Sequence, residues 1–150
     1  MTDTLASAEI AIRHAETDGE TSACYPVMRE LRPHLASERE FVERIARQRA
    51  DGYRLLAAWR GDLAIALAGY RVQENLVYGR FLYVDDLVTL ETERRHQLGK
   101  RLLDWVAGVA RRLNYAWLVL DTALSNSLGQ RFYFRQGMLA SGLRFRLPLN

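Results

Sequence analysis

Cysteine is nearly missing from this chain. Cys24 is alone among 150 residues, which excludes an intramolecular disulfide and a cysteine-built metal cage. Histidine is scarce as well, and His14, His34 and His96 share no ligand spacing, so no metal centre is expected. The longest apolar runs, such as Leu63 to Tyr70, fall well short of the roughly 20 residues that cross a bilayer, which predicts no membrane-spanning helix. Residues 1–9 have no basic stretch followed by an apolar one, which predicts a cytoplasmic protein without a secretory signal. There is no internal repeat, low-complexity run or Pro/Ser-rich linker, so one domain over residues 1–150 is expected.

What is present is ordinary globular material, 49% hydrophobic and 26% charged. The net charge of +3 conceals a division: residues 1–93 carry 11 Arg against 16 acidic residues, while residues 94–150 carry 10 basic residues against 2 Asp. The last third, at +8, predicts an anionic ligand there. No recognised nucleic-acid motif or aromatic-basic stripe accompanies it, so nucleic acid is not the expected partner.

Apolar patterning gives the elements. Glu9 to Arg13 alternates like a short strand, and Ser22 to Leu35 places Met28, Leu31 and Leu35 at helical spacing until Pro33 ends the helix. Ser37 with Glu40 forms a capping box for a second helix running to Gly52. Tyr53 to Arg60, a Gly61-Asp62 turn and Leu63 to Val72 read as a hairpin, followed by a strand over Phe81 to Thr89. A polar loop, Glu91 to Gln97, leads into a helix carrying Leu98, Leu102, Trp105, Val106 and Val109 on one face. A buried strand over Trp117 to Leu120, a helix over Ser127 to Gln136 and a last strand region over Met138 to Leu147 complete an α+β chain with mixed strand directions.

Two segments within this order carry a resemblance. Val84 to Leu103, VDDLVTLETERRHQLGKRLL, resembles the central motif of the GNAT acetyltransferase superfamily, and Asn126 to Met138, NSLGQRFYFRQGM, resembles its second motif. The likeness covers essentially the whole chain and implies the GNAT fold, a central mixed, mainly antiparallel sheet flanked by helices. It also implies acetyl-CoA as cosubstrate, with no metal, and direct acetyl transfer to a primary amine.

Site residues follow from the resemblance, position by position. Arg94 fills the first place of the pyrophosphate loop, Arg95 and His96 the spacers, Gln97 the first glycine, Leu98 the next spacer and Gly99 the last glycine; Lys100 and Arg101 add charge. Gln97 departs from the pattern, and its side chain either distorts the loop or stands outward in ordinary helical conformation. Leu87, Val88 and Thr89 are expected to pair through their backbone with the pantetheine arm, with the Val88 amide as donor to the acetyl carbonyl. Tyr133 matches the tyrosine that protonates the leaving thiolate, with core packing beside Phe132 and Phe134 as its alternative. Asn126 is either a CoA contact or a helix N-cap.

Asp85 and Asp86 interrupt an apolar strand, and alternation points them to opposite faces, so only one should meet the cleft. The resemblance implies that Asp85 is the one that anchors or deprotonates the amine, directly or through water, with a hydrogen-bonded structural acid as its alternative; Asp86 is the reserve. His34 and Cys24 read as surface and packing residues. The acidic N-terminal portion and Asp85 favour a cationic acceptor, a small molecule or a protein amine, and the resemblance implies a possible homodimer formed through the last strands. The second reading is a weakly active or non-catalytic acyl-CoA-binding module whose loop is spoiled by Gln97.

Overall fold

The computed structural model describes residues 9–150. Strand β1 (Ile10–His14) leads to helix α1 (Asp18–Leu31), which opens on a capping box: the Thr17 hydroxyl accepts from the Glu20 amide at 3.1 Å and the Glu20 carboxylate from the Thr17 amide at 3.2 Å. The helix stops at Leu31 because Pro33 disfavours the helical region for Arg32, which sits at φ −121 and ψ 68. Ser37 caps α2 (Glu38–Ala50), its hydroxyl accepting from the Glu40 amide at 3.1 Å, but the expected box is only half formed, since the Glu40 carboxylate accepts from the Ala36 amide at 2.8 Å instead.

Strand β2 (Arg54–Arg60) turns at Gly61, whose φ of 60 suits glycine, into β3 (Leu63–Asn75). A second hairpin, unread in the sequence, links β3 to β4 (Gly79–Thr89): the Asn75 side-chain oxygen accepts from the Val77 and Tyr78 amides at 3.0 and 2.7 Å. A 3-10 turn (Glu91–His96), helix α3 (Leu98–Arg112) and β5 (Leu118–Leu120) follow. The sheet runs β1-β2-β3-β4-β5, with the first three pairings antiparallel and β5 reached by the α3 crossover, a mixed sheet flanked by helices.

The core explains the unusual apolar continuity of β2 and β3. Leu55 to Trp59 and Ala64 to Ala68 are buried throughout, because both faces of the sheet are covered. Cys24, Val27 and Met28 of α1 and Phe41 and Ile45 of α2 join Tyr53, Leu55, Ala57, Trp59 and Leu67 in one cluster. Helix α3 contributes Leu98, Leu102, Leu103, Val106 and Ala110 as its buried stripe, and it contacts β2, β3 and β4. β5 is half-buried rather than buried, and Trp117 before it is 54% exposed.

The chain forms two compact units, one ending at Val119 and the other Leu120–Asn150. The second holds α4 (Ser127–Arg135). The strand expected over Met138 to Leu147 is not formed: residues 138–150 are irregular. Strand propensity is realised only where a partner ladder forms along the segment, and none forms along residues 138–150. It is tied instead by an ion pair between Arg144 and Asp121.

Candidate active site

The strand β4 is irregular where it carries its carboxylates. Gly69 lies opposite Asp86 and Tyr70 opposite Val84, so Asp85 is an extra residue, a β-bulge. The bulge breaks the alternation that would send Asp85 and Asp86 to opposite faces, and both join one polar cluster. Arg32 Nε donates to Asp86 Oδ1 at 2.9 Å and its Nη2 to the Asp85 carbonyl at 3.0 Å; the Tyr53 hydroxyl donates to Asp86 Oδ2 at 2.8 Å. Arg71 donates through Nε to Asp85 Oδ2 at 2.9 Å and through Nη2 to Gln48 at 2.7 Å, and its guanidinium lies over the Tyr53 ring.

The two carboxylates are not equivalent. Both oxygens of Asp86 accept hydrogen bonds, whereas Asp85 accepts through Oδ2 and no described side chain donates to Oδ1. Burial raises the Asp85 carboxyl above its ordinary range, against the pull of Arg71. Burial and the adjacent Asp86 push the Tyr53 phenol far up, so it stays a donor. Tyr53, Arg32, Arg71 and Gln48 were not singled out in the sequence. The one available signal was Gly69 within an apolar strand: a Cβ there would overlap the Tyr53 hydroxyl and ring.

Backbone direction beyond the bulge follows from the register. Leu90 N–H donates to the Ile65 carbonyl at 3.0 Å. Hydrogen-bonded pairs alternate along an antiparallel ladder, so with Val88 opposite Leu67 and Thr89 opposite Ala66, the Val88 amide faces β3 and those of Leu87 and Thr89 face the other edge. The donor expected at Val88 is thus spent inside the sheet. Leu87 and Thr89 turn theirs away from β3.

The loop after β4 turns sharply at Gln97, which takes the left-handed conformation at φ 52 and ψ 35. The ordinary helical conformation, one of the two outcomes expected of Gln97, does not occur; the residue adopts a backbone that glycine takes freely, at a cost of roughly 1–2 kcal/mol for a residue with a side chain. Helix α3 starts there. Gln97 O accepts from Arg101 N at 3.1 Å, which leaves the Leu98, Gly99 and Lys100 amides without an intrahelical acceptor. Arg94, Arg95, His96, Gln97, Lys100 and Arg101 are exposed around this turn, and Lys100 pairs with Asp104 at 2.6 Å. Leu98 is buried, so only its backbone can serve. Free amides, the positive end of a 15-residue helix and several cationic side chains form a donor set that fits a pyrophosphate.

In the second unit, Asn126 caps α4: its Oδ1 accepts from Gly129 N at 3.0 Å and its Nδ2 donates to Thr122 Oγ1 at 2.9 Å. Gly129 leaves room for this cap, since a Cβ would overlap the Asn126 amide. The helix ends in a Schellman motif, with Gly137 at φ 86, its amide on Phe134 O at 3.0 Å and the Met138 amide on Tyr133 O at 3.0 Å. Tyr133 is half-buried in edge contact with Phe132, and desolvation raises its phenol, which is therefore protonated at neutral pH.

The remaining candidates stay apart from this chemistry. His34 is exposed in the turn after α1. Cys24 is fully buried and its thiol is pushed up to about 12 by desolvation, so it is no nucleophile at neutral pH. Among the described residues, no group of three His, Cys, Asp or Glu is placed to hold a metal, and no helix is long and apolar enough to cross a membrane.

Known proteins resemble this chain in sequence and in fold. The model of the acetyltransferase (GNAT) family matches residues 16–138. An uncharacterized N-acetyltransferase of Bacillus subtilis, YhdJ, is 28% identical over 141 residues, covering 93% of this chain and 99% of its own. The aminoalkylphosphonate N-acetyltransferase of Salmonella typhimurium is 28% identical over 142 residues, 92% of this chain and 90% of its own. Among solved structures, the aminoglycoside N-acetyltransferase AAC(6')-Iy in complex with CoA superposes with a TM-score of 0.81 at 15% identity, over 95% of this chain and 96% of that one.

Proposed function

This chain belongs to the GNAT acetyltransferase family, and from that premise we propose that residues 1–150 act as one domain that moves an acetyl group from acetyl-CoA directly to a primary amine. The observation that carries the reading is the left-handed turn at Gln97, which sets the free amides of α3 among Arg94, Arg95 and Lys100. Those amides and cations, with the backbone of His96, Leu98 and Gly99, are the proposed holders of the pyrophosphate; Leu87 and Thr89, flanking Val88, offer backbone to the pantetheine arm. Bound acetyl-CoA supplies the activated acyl group. The Leu87 amide, nearest to Asp85 among those of β4 that face away from β3, is the proposed donor to the oxyanion. Tyr133 is the proposed acid for the thiolate, Asn126 serving it by fixing the start of α4.

Asp85 is the base or amine anchor in this reading, because its Oδ1 takes no bond from a described side chain while Asp86 is fully engaged by Arg32 and Tyr53. Its raised pKa sets the sign of the pH dependence: activity that needs the carboxylate is lost as pH falls through a value above the ordinary 3.8. Asp85→Asn is expected to raise the acceptor KM and move the kcat/KM profile to higher pH, since the amine must then lose its proton to bulk water. An unchanged profile would pass the role to a water molecule.

Arg71 and Arg32 balance the two carboxylates, so the acceptor need not be strongly cationic. Small amines bearing an acidic group, the class named for the Salmonella relative, are the first acceptors to screen. A cytoplasmic homodimer completes the reading. It is supported by Leu143, Phe145, Leu147 and Leu149, which alternate along the C-terminal segment and are all exposed.

The direct test is the thermal midpoint with and without acetyl-CoA. Ligand at about 100 times Kd adds roughly 2.7 kcal/mol to the native state, which moves the midpoint of a chain this size by about 5–10 °C. The non-catalytic reading rested on a spoiled loop and requires Gln97→Gly to tighten acetyl-CoA binding sharply. With Gln97 already left-handed, that variant is expected to leave affinity within about threefold of the parent while slightly stabilising the fold.

A further inference from the structure

The anion-binding turn contains an acid that should work against it. Glu93 directly precedes Arg94, and an ionised carboxylate there repels the phosphates the turn is proposed to hold. Its charge is met from outside the turn. Arg60, the last residue of β2, donates through Nη1 to Glu93 Oε1 at 2.7 Å and through Nη2 to Oε2 at 3.0 Å, a parallel fork between side chains only 17% and 13% exposed. This is the least exposed ion pair in the described chain. Arg60 Nε is buried without a hydrogen-bond partner, and among the described residues Glu93 alone holds the guanidinium by hydrogen bonds. The other titratable group facing Glu93 among the described residues is His96, whose Nε2 lies 3.5 Å from Oε2. At the start of the turn, the Glu91 amide donates to Glu30 Oε1 at 3.2 Å, which secures one end and leaves the middle to Arg60.

We infer that Arg60 is a positioning residue for cofactor binding: its fork with Glu93 cancels the less exposed of the turn's two acids, the one next to Arg94, and fixes that turn on the end of β2. The inference rests on the acetyl-CoA reading above. The fork matters as much as the charge, because a lysine at position 60 supplies a point charge without the two fixed, parallel donors.

The test uses the full chain with Arg60→Met, Arg60→Lys and the double variant Arg60→Met with Glu93→Gln. Acetyl-CoA Kd is measured by calorimetry and KM against kcat by steady-state kinetics. Arg60→Met is expected to raise Kd and KM for acetyl-CoA by about 10-fold or more, with kcat at saturation close to the parent, because it strands a buried carboxylate beside the anion. The double variant should regain most of that loss, since it removes the stranded charge. Arg60→Lys, the mildest change, should fold like the parent and bind acetyl-CoA roughly 3–10-fold more weakly.

A lowered thermal midpoint with parental Kd in both Arg60→Lys and Arg60→Met would make the pair a fold contact and overturn the inference. A double variant no better than Arg60→Met would overturn charge cancellation. Failure of the unmodified protein to bind acetyl-CoA would instead sink the functional reading itself, so the two failures are distinguishable.

Discussion

Tyr133→Phe is expected to lower kcat by about 100-fold while leaving the acetyl-CoA Kd unchanged, the pattern of a lost general acid. The substitution removes one oxygen and keeps the ring, so the edge contact with Phe132 and the Schellman bond from Met138 to the Tyr133 carbonyl survive. Desolvation already holds this phenol above its ordinary value, which guarantees a proton to give at neutral pH and makes the hydroxyl, rather than the ring, the functional part. Steady-state rates with saturating acetyl-CoA, beside a calorimetric Kd, separate the two contributions. Parental turnover in this variant would confine Tyr133 to packing.

The second large effect is on stability. Gly69→Ala is expected to cost about 3 kcal/mol, combining overpacking in a filled core with a buried polar group deprived of its partner. The added methyl would occupy the space of the Tyr53 ring, which must then withdraw its hydroxyl from Asp86. For a chain of this size that corresponds to a fall in thermal midpoint of roughly 6–12 °C. Tyr53→Phe supplies the control, since it breaks the same hydrogen bond without crowding and should cost less than half as much. A Gly69→Ala protein with the parental midpoint would mean that the crossing of Tyr53 over β3 is not fixed.

These two sites differ in how far the sequence announced them. The Asn126 cap, Gly129, Tyr133 and the Gly137 stop are local: each depends on neighbours within a few positions, so a contiguous motif carried them. The Ser37 cap and the Gly61 turn were legible for the same reason. The Arg32, Gln48, Tyr53, Arg71, Asp85 and Asp86 cluster is assembled from α2, β3, β4, the turn after α1 and the residue before β2, so nothing in the local pattern announces it. The bulge at Asp85 was hidden because the alternation rule presumes an unbroken ladder, and the register shift is decided by pairing with β3.

The same limit applies at the chain's end. Met138 to Leu147 has the composition of a strand, but composition does not say whether an edge is available to pair with. Gln97 was legible as an exception but not in its outcome. Its backbone takes the unfavourable left-handed region because the 3-10 turn on one side and α3 on the other both fix its place.

The single cysteine has a practical side. An acetyltransferase releases a free thiol with each turnover, and that thiol is most simply counted with a colour-forming disulfide reagent. Most proteins contribute a background of their own. With Cys24 sealed in the core and its thiolate suppressed, this protein should be silent to the reagent while folded, so every equivalent of colour reports product. The same silence makes the folded chain a ready host for one engineered surface cysteine, and hence for a single fluorescent label beside the Gln97 turn.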